Sequence, residues 1–292
     1  LFEKGITWIE KETRIPVLGV LPWLKEIFPP EDSLDLLERK QVNHNAEIQI
    51  AIIKLPRISN FSDLDPFWGD PNIQIKWIEP GESLGKPDVL IIPGSKQTIK
   101  DLEILNKSGL SNQINYYAKN GGSIFGICGG LQMLGKSLED PHRKESINDL
   151  SSSSCNGMNL LPIRTIFGEI KQNSQKEEIV SWPKEKSVKG FEMHYGKSNL
   201  INDENFDIIS LFKNSSLGWV LEKKDKSFIG GTYLHGIFEN NEWRREWINK
   251  IRQKKGLKKL KSNYENYNIE RERLLDLLAD SFEKNITIDK VI

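Results

Sequence analysis

Short apolar runs rich in β-branched residues alternate with stretches of helical period along the middle of the chain. Ile48 to Leu55, Ile73 to Ile78 and Val89 to Pro93 are each bounded by turn residues, the pattern of buried strands. Gln97 to Asn120 carries a helical period and ends at Gly121-Gly122, a stop that suits positive φ. Ser123 to Ile127 then reads as a strand, Cys128 closes it, and a helix opens at Gly129-Gly130 and runs through Leu134. Further strands are predicted around Leu161 to Phe167, Gly190 to His194, Gly218 to Leu221 and Phe228 to Leu234, and two helices, Asn240 to Lys255 and Ile269 to Phe282, close the chain. This alternation predicts an α/β fold with a mostly parallel central sheet.

The flanks read differently. Residues 1 to 24 predict a helix around Trp8-Ile9 and a strand, Val17 to Leu21, closed by Pro22. A pair this short cannot bury its own apolar faces, so it needs the following domain or a domain outside the chain. Pro29 to Asn45 is charged and punctuated, a linker. Asp140 to Asn156, with serine at 151 to 154, is polar and reads as a mobile surface excursion without chemistry.

Composition narrows the partners. At 292 residues the chain can hold one large α/β domain with an appendage. Lys plus Arg and Asp plus Glu are 41 each, so no electrostatic footprint for nucleic acid or an anionic membrane exists, and partners are expected to be small molecules or protein. Two cysteines are too few for a disulfide framework or a structural zinc site, which suits a reducing cytoplasm and calls for no metal. Apolar runs are too short to span a membrane, and the start lacks both an initiator Met and a signal pattern, so the chain reads as a soluble piece of a longer protein.

The candidate chemistry centres on Gly126-Ile127-Cys128-Gly129-Gly130-Leu131-Gln132 at a strand-to-helix junction, the spacing of a nucleophile elbow. Glycines two positions either side would remove Cβ atoms that clash in so tight a turn, and the helix start favours thiolate over thiol. A buried structural cysteine is the alternative. His235, at the end of a predicted strand and followed by glycine, is the best-placed proton shuttle of the four histidines, or else a hydrogen-bonded strand end. Leu90 to Lys96 supplies a glycine turn in which Gly94 or Ser95 N–H would be one oxyanion donor, with Gly129 N–H the second; an ordinary βα turn would look the same.

Taken together and in this order, the glycine turn, the elbow and the strand-end histidine resemble class I glutamine amidotransferases. The wording is closest to their cobyric/cobyrinic acid synthase type in Pro93 to Ile99, Gly126 to Gly135, Leu161 to Thr165, Gly190 to Gly196 and Gly231 to Phe238. The resemblance implies a flavodoxin-like glutaminase domain at 47–250, with Cys128 as nucleophile and His235 as its base. Gln132, His194 and Tyr195 become substrate contacts. It further implies, at 1–40, a remnant of an amino-terminal ATP-dependent synthetase domain and linker, in which Pro16 to Pro22 resembles the last strand, and at 251–292 a helical tail. Glutamine would be the substrate here, with no cofactor in this domain; ATP and Mg2+ would serve the synthetase, which would amidate a corrinoid. A related amidotransferase for cobyrinic acid or a cell-wall precursor, a Cys-His hydrolase and a silent binding module are the rival readings. One departure stands out: many class I enzymes carry Glu two residues after the histidine, where this chain has Ile237, leaving Glu239 or a backbone carbonyl to orient the imidazole.

Overall fold

A computed structural model of the protein describes residues 2–22, 45–68, 70–145, 154–201, 207–261 and 267–286. It divides into two compact units, Leu1–Glu31 with Glu265–Ile292, and Asp32–Tyr264. The smaller opens with α1 (Glu3–Thr13).

Along the larger unit run β1 (Ile48–Ile53), β2 (Ile58–Ser59), a 3-10 helix at Phe61–Phe67, β3 (Ile73–Ile78), β4 (Val89–Ile92) and β5 (Gly94–Ser95). Next come α2 (Thr98–Lys107), α3 (Leu110–Lys119), β6 (Ser123–Ile127), α4 (Gly129–Leu134), β7 (Ser137–Glu139), β8 (Ser154–Asn156), β9 (Ile163–Val180) and β10 (Lys186–Leu200). After these lie β11 (Ile208–Ser210), β12 (Gly218–Glu222), β13 (Phe228–Thr232), β14 (Leu234–His235), a 3-10 helix at Ile237–Glu239 and α5 (Asn241–Lys254). The smaller unit closes with α6 (Tyr267–Asn285).

Seven strands form the central sheet in the order β11-β12-β13-β6-β4-β1-β3. Those from β13 to β3 are parallel, and β12 and β11 add an antiparallel edge. Taken in chain order, the five parallel strands lie 2-1-3-4-5, the flavodoxin-like arrangement, in which ligands gather beyond the carboxyl ends of the strands. Ile48, Ile50, Ile52, Leu90, Ile91 and Ile124 are wholly buried, as expected where helices cover both faces of a parallel sheet. A second sheet, β14-β10-β9-β7-β8, lies beside it in the chain's course. The chain leaves β13 at Thr232 and joins β10 at Leu234, with Phe191 paired to His235, so the segment carrying the histidine is held by both sheets.

Aromatic packing fixes the two 3-10 helices. On α5, Trp243, Trp247, Ile248 and Ile251 recur at helical spacing and are buried. The Phe238 ring stands 4.6 Å from Phe67 and 5.0 Å from Trp247. Phe67 ends the first 3-10 helix and Phe238 sits in the second, so this contact clamps the two together. Phe238→Ala is expected to lower stability by about 3–5 kcal/mol through loss of burial and a residual cavity; urea denaturation at constant m-value measures it.

Several expectations need correction. Gln97 to Asn120 is two helices, because Gly109 adopts φ 76° and ends the first. The strands expected at Leu161 to Phe167 and Gly190 to His194 belong to a long antiparallel pair of 18 and 15 residues, with a bulge between His194 and Gly196. Its outer stretch is exposed and polar, so no apolar run marks it. Val17 to Leu21 is not a strand: only Gly19 finds a partner, an isolated bridge to Ile286, and a ladder needs more than one pairing. Asp140 to Asn156 is not simply a surface excursion. Ser154–Asn156 pairs with β7, and Asp140 is fully buried, accepting the N–H groups of Lys144 and Glu145 at 2.8 Å each. Residues 146–153 of that stretch, and the linker expected at Pro29 to Asn45 apart from Asn45, lie outside the described residues. Among the described residues no helix is long and apolar enough to cross a membrane.

Candidate active site

Cys128 stands at the carboxyl end of β6. Its N–H donates to the Thr232 carbonyl at 2.7 Å, the last rung before the chain turns into α4. The turn is strained, with φ 49° and ψ −106° at a non-glycine residue, a conformation that persists only where the surroundings impose it. Two glycines allow it: a Cβ on Gly130 would stand 1.9 Å from the Ile92 carbonyl oxygen, and one on Gly126 would stand 2.5 Å from the Gly130 carbonyl carbon. The elbow read from the sequence is therefore built as expected, with Cys128 6 % exposed. The other cysteine, Cys155, lies half-buried on β8, where burial pushes its thiol up to about 11.

His235 is 1 % exposed, and Phe191 stacks on its ring at 5.1 Å. Its Nδ1–H donates to Asp63 Oδ2 at 2.7 Å, and the Gly236 N–H donates to the other oxygen of the same carboxylate, also at 2.7 Å. Burial disfavours the imidazolium, but the hydrogen bonds to Asp63 and Cys128, with the charges of both, outweigh it and push the pKa up to about 10. Sulfur, imidazole and carboxylate thus form a line, from the end of β6 through β14 to the 3-10 helix that follows β2. The orienting group is neither Glu239 nor a backbone carbonyl. Asp63 lies 172 positions from the histidine, in Phe61-Ser62-Asp63-Leu64-Asp65-Pro66-Phe67. One acid in a short turn carries no signal that sequence reading could separate from its neighbour Asp65.

The remaining candidates gather around the same cavity of about 340 Å³, lined by Ser95, Thr98, Cys128, Gln132, Met193, His194, Tyr195 and His235 among others. The Met193 carbonyl oxygen is 3.8 Å from Cys128 Sγ. A Cβ on Gly94 would stand 3.3 Å from His235 Cε1, and one on Gly129 would stand 2.9 Å from the Ser95 backbone nitrogen, so the glycine turn and the elbow touch. Gly129 also opens α4, whose first N–H groups have no partner within the helix. The turn is held by Ser95 Oγ, which donates to Asp101 at 2.6 Å and accepts the Gln97 N–H, while Arg57 pairs with the second Asp101 oxygen at 3.0 Å.

Gln132 is buried with both ends of its amide engaged. Thr98 Oγ1 donates to Oε1 at 3.2 Å, and Nε2 donates to the Tyr233 hydroxyl at 3.1 Å, which continues through Ser198 to Thr165. This residue lines the cavity from within a buried polar chain. His194 stacks on Tyr233 at 3.9 Å, with its two ring nitrogens at Gly196 O (2.6 Å) and Glu192 Oε1 (2.8 Å). Burial pulls its pKa down against the opposing pull of Glu192. Tyr195 is 39 % exposed at the mouth, beneath Lys171.

A buried Cys-His-Asp line at the sheet's carboxyl edge, beside a glycine turn, is an arrangement for acyl transfer. A family profile for the CobB/CobQ-like glutamine amidotransferase domain matches residues 49–243. The chain belongs to that family. It is 77% identical over its whole length to a cobyric acid synthase of Prochlorococcus marinus (strain NATL2A) and 51% identical to one of Prochlorococcus marinus (strain MIT 9313), covering 58% of each. At 47% it resembles a cobyric acid synthase of Synechococcus sp. (strain CC9605), with 99% of the chain matched to 57% of that relative. The chain thus spans a little under three-fifths of the length of these curated relatives. A crystal structure of a glutamine amidotransferase shares the fold of this amidotransferase domain, with a TM-score of 0.51 at 13% identity over 71% of this chain and 99% of that one.

Proposed function

We propose that the chain hydrolyses glutamine through a thioester on Cys128. The sulfur adds to the side-chain amide carbon, and the oxyanion is received by the N–H of Gly129 with that of Gly94 or Ser95. The C–N bond breaks, and His235 gives its proton to the departing nitrogen, releasing ammonia. A water then adds to the γ-glutamyl thioester, His235 takes its proton, and the C–S bond breaks to yield glutamate. The observation that carries this reading is the contact between Cys128 and an imidazole held by Asp63. That carboxylate supplies what Ile237 does not, which weakens the rival reading of a silent binding module. Gln132, His194 and Tyr195 shape the pocket that receives the substrate.

The ammonia passes to a synthetase portion of the longer protein, where ATP and Mg2+ activate carboxylates of a corrinoid; no residue of this chain is assigned to ATP or Mg2+. The cobyric acid synthase names of the relatives support the b, d, e and g carboxylates of adenosylcobyrinic acid a,c-diamide as acceptors, in cobalamin biosynthesis. Joining the chain to that portion with ATP and the corrinoid present is expected to raise ammonia release roughly 5–150-fold, the usual range of coupling between sites. Ammonia release that the corrinoid does not change would remove the corrinoid reading and leave glutamine hydrolysis standing.

A further inference from the structure

Glu145 is the one carboxylate among the described residues lining the catalytic cavity, and the mechanism above gives it nothing to do. It is nine-tenths buried. Its place is set from behind, because Asp140, fully buried, accepts the N–H groups of Lys144 and Glu145 and fixes the loop that follows β7. The Glu145 carboxylate lies against the Thr98 and Ile99 N–H groups at the start of α2. Oε2, shielded from solvent, has no hydrogen-bond partner among the described residues.

A buried acceptor left unused is rare in a folded protein and costs free energy. The charges that reach Glu145, those of Asp140 and Asp101, share its sign; burial first, and these two carboxylates after it, push its carboxyl up to about 7 despite the two amides. A cation arriving from the cavity would relieve both defects. The position is near the reacting end of the site: Thr98, whose N–H faces Glu145, donates its hydroxyl to Gln132, and a Cβ on Gly129 would stand 2.9 Å from that hydroxyl. Lys96 and Lys171 line the same cavity. The cavity therefore offers both charges that the zwitterionic end of a free amino acid requires, an anion for the ammonium and cations for the carboxylate.

We propose that Glu145 receives the α-ammonium group of the substrate glutamine through its unpartnered oxygen, and so selects a free amino acid over amides that lack that group. The proposal rests on the reading of Cys128 as the glutamine nucleophile. It adds a specificity-determining residue from a segment whose sequence suggested no chemistry.

The test compares two electrophilic analogues on the full chain, a γ-diazoketone carrying the α-ammonium group and its deamino counterpart, by the rate at which each labels Cys128 in peptide mass spectra. In the wild-type chain the ammonium-bearing analogue is expected to label about 10–100-fold faster, the range for a hydrogen bond to a charged group. In Glu145→Gln the ratio collapses toward one, through loss of the faster rate alone. Because the ratio is internal to each protein, partial misfolding of the variant does not imitate this result. A ratio that survives in Glu145→Gln, or one already near unity in the wild type, overturns the proposal. Equal slowing with both analogues does so too, since it marks a structural role. Failure of both analogues to label wild-type Cys128 removes the glutamine-hydrolysis reading itself.

Discussion

Cys128→Ala is expected to abolish ammonia release from glutamine, with a fall on the order of 10⁴–10⁶-fold, as when the nucleophile of a coupled catalytic group is removed. The size of the effect follows from the site's construction. The strained turn presents one sulfur to the cavity, and the chain's only other thiol, on β8, does not line that cavity and is held protonated by burial. What remains in the variant is binding and the oxyanion donors, which stabilise a negative charge but form no thioester. Alanine meets the same positive φ as cysteine, so stability should change little and the loss is chemical. The variant is measured by ammonia release beside its denaturation midpoint. Substantial hydrolysis in a folded Cys128→Ala protein would sink the assignment.

Asp63→Asn is expected to lower glutaminase activity by roughly 10⁴-fold, the cost seen when an amide replaces the buried acid of a catalytic triad and stabilises the wrong tautomer. The structure adds a pH signature. Asp63 holds the proton on His235, whose pKa is pushed up to about 10, while burial alone would pull it below the ordinary value of 6.5. Removing that carboxylate leaves burial opposed only by Cys128, so the alkaline limb of kcat/KM is expected to move down from about 10. The sign for stability is the same. The folded state binds this proton more tightly than the unfolded chain, so the pair's contribution is whole below pH 6.5 and is lost as the pH rises toward about 10. Wild-type protein should therefore lose stability across that window, and Asp63→Asn should lose less. A variant with unchanged alkaline limb would show that another group holds the imidazole.

The elements that make the site were legible where local sequence dictates local structure. Ser123 to Leu134 reads as strand, elbow and helix because the apolar run, the cysteine and its flanking glycines each have one reasonable place, and the structure sets them there. The histidine was legible for the same reason, as a strand end before a glycine with positive φ. Two things were hidden. Asp63 becomes meaningful only when the Phe67–Phe238 contact draws its 3-10 helix against the residues after His235, and no periodicity records a contact between segments so distant in sequence. Glu145 was hidden by composition. A polar stretch is ordinarily solvated, but here Asp140 turns inward to cap the loop's own amides and carries Glu145 to the cavity wall. The full length of β9 and β10 was masked for a related reason, since beyond the short runs read as strands, exposed positions rich in Lys, Glu and Gln hide a ladder whose hydrogen bonds do not depend on burial.

The most direct test of the account is to stop glutamine turnover in acid and map the protein by peptide mass spectrometry. A glutamyl adduct confined to the peptide containing Cys128, absent from Cys128→Ala and accumulating when water's attack is slowed in Asp63→Asn, is the predicted result. Ammonia release with no adduct on that peptide, or with the adduct on another residue, would contradict it.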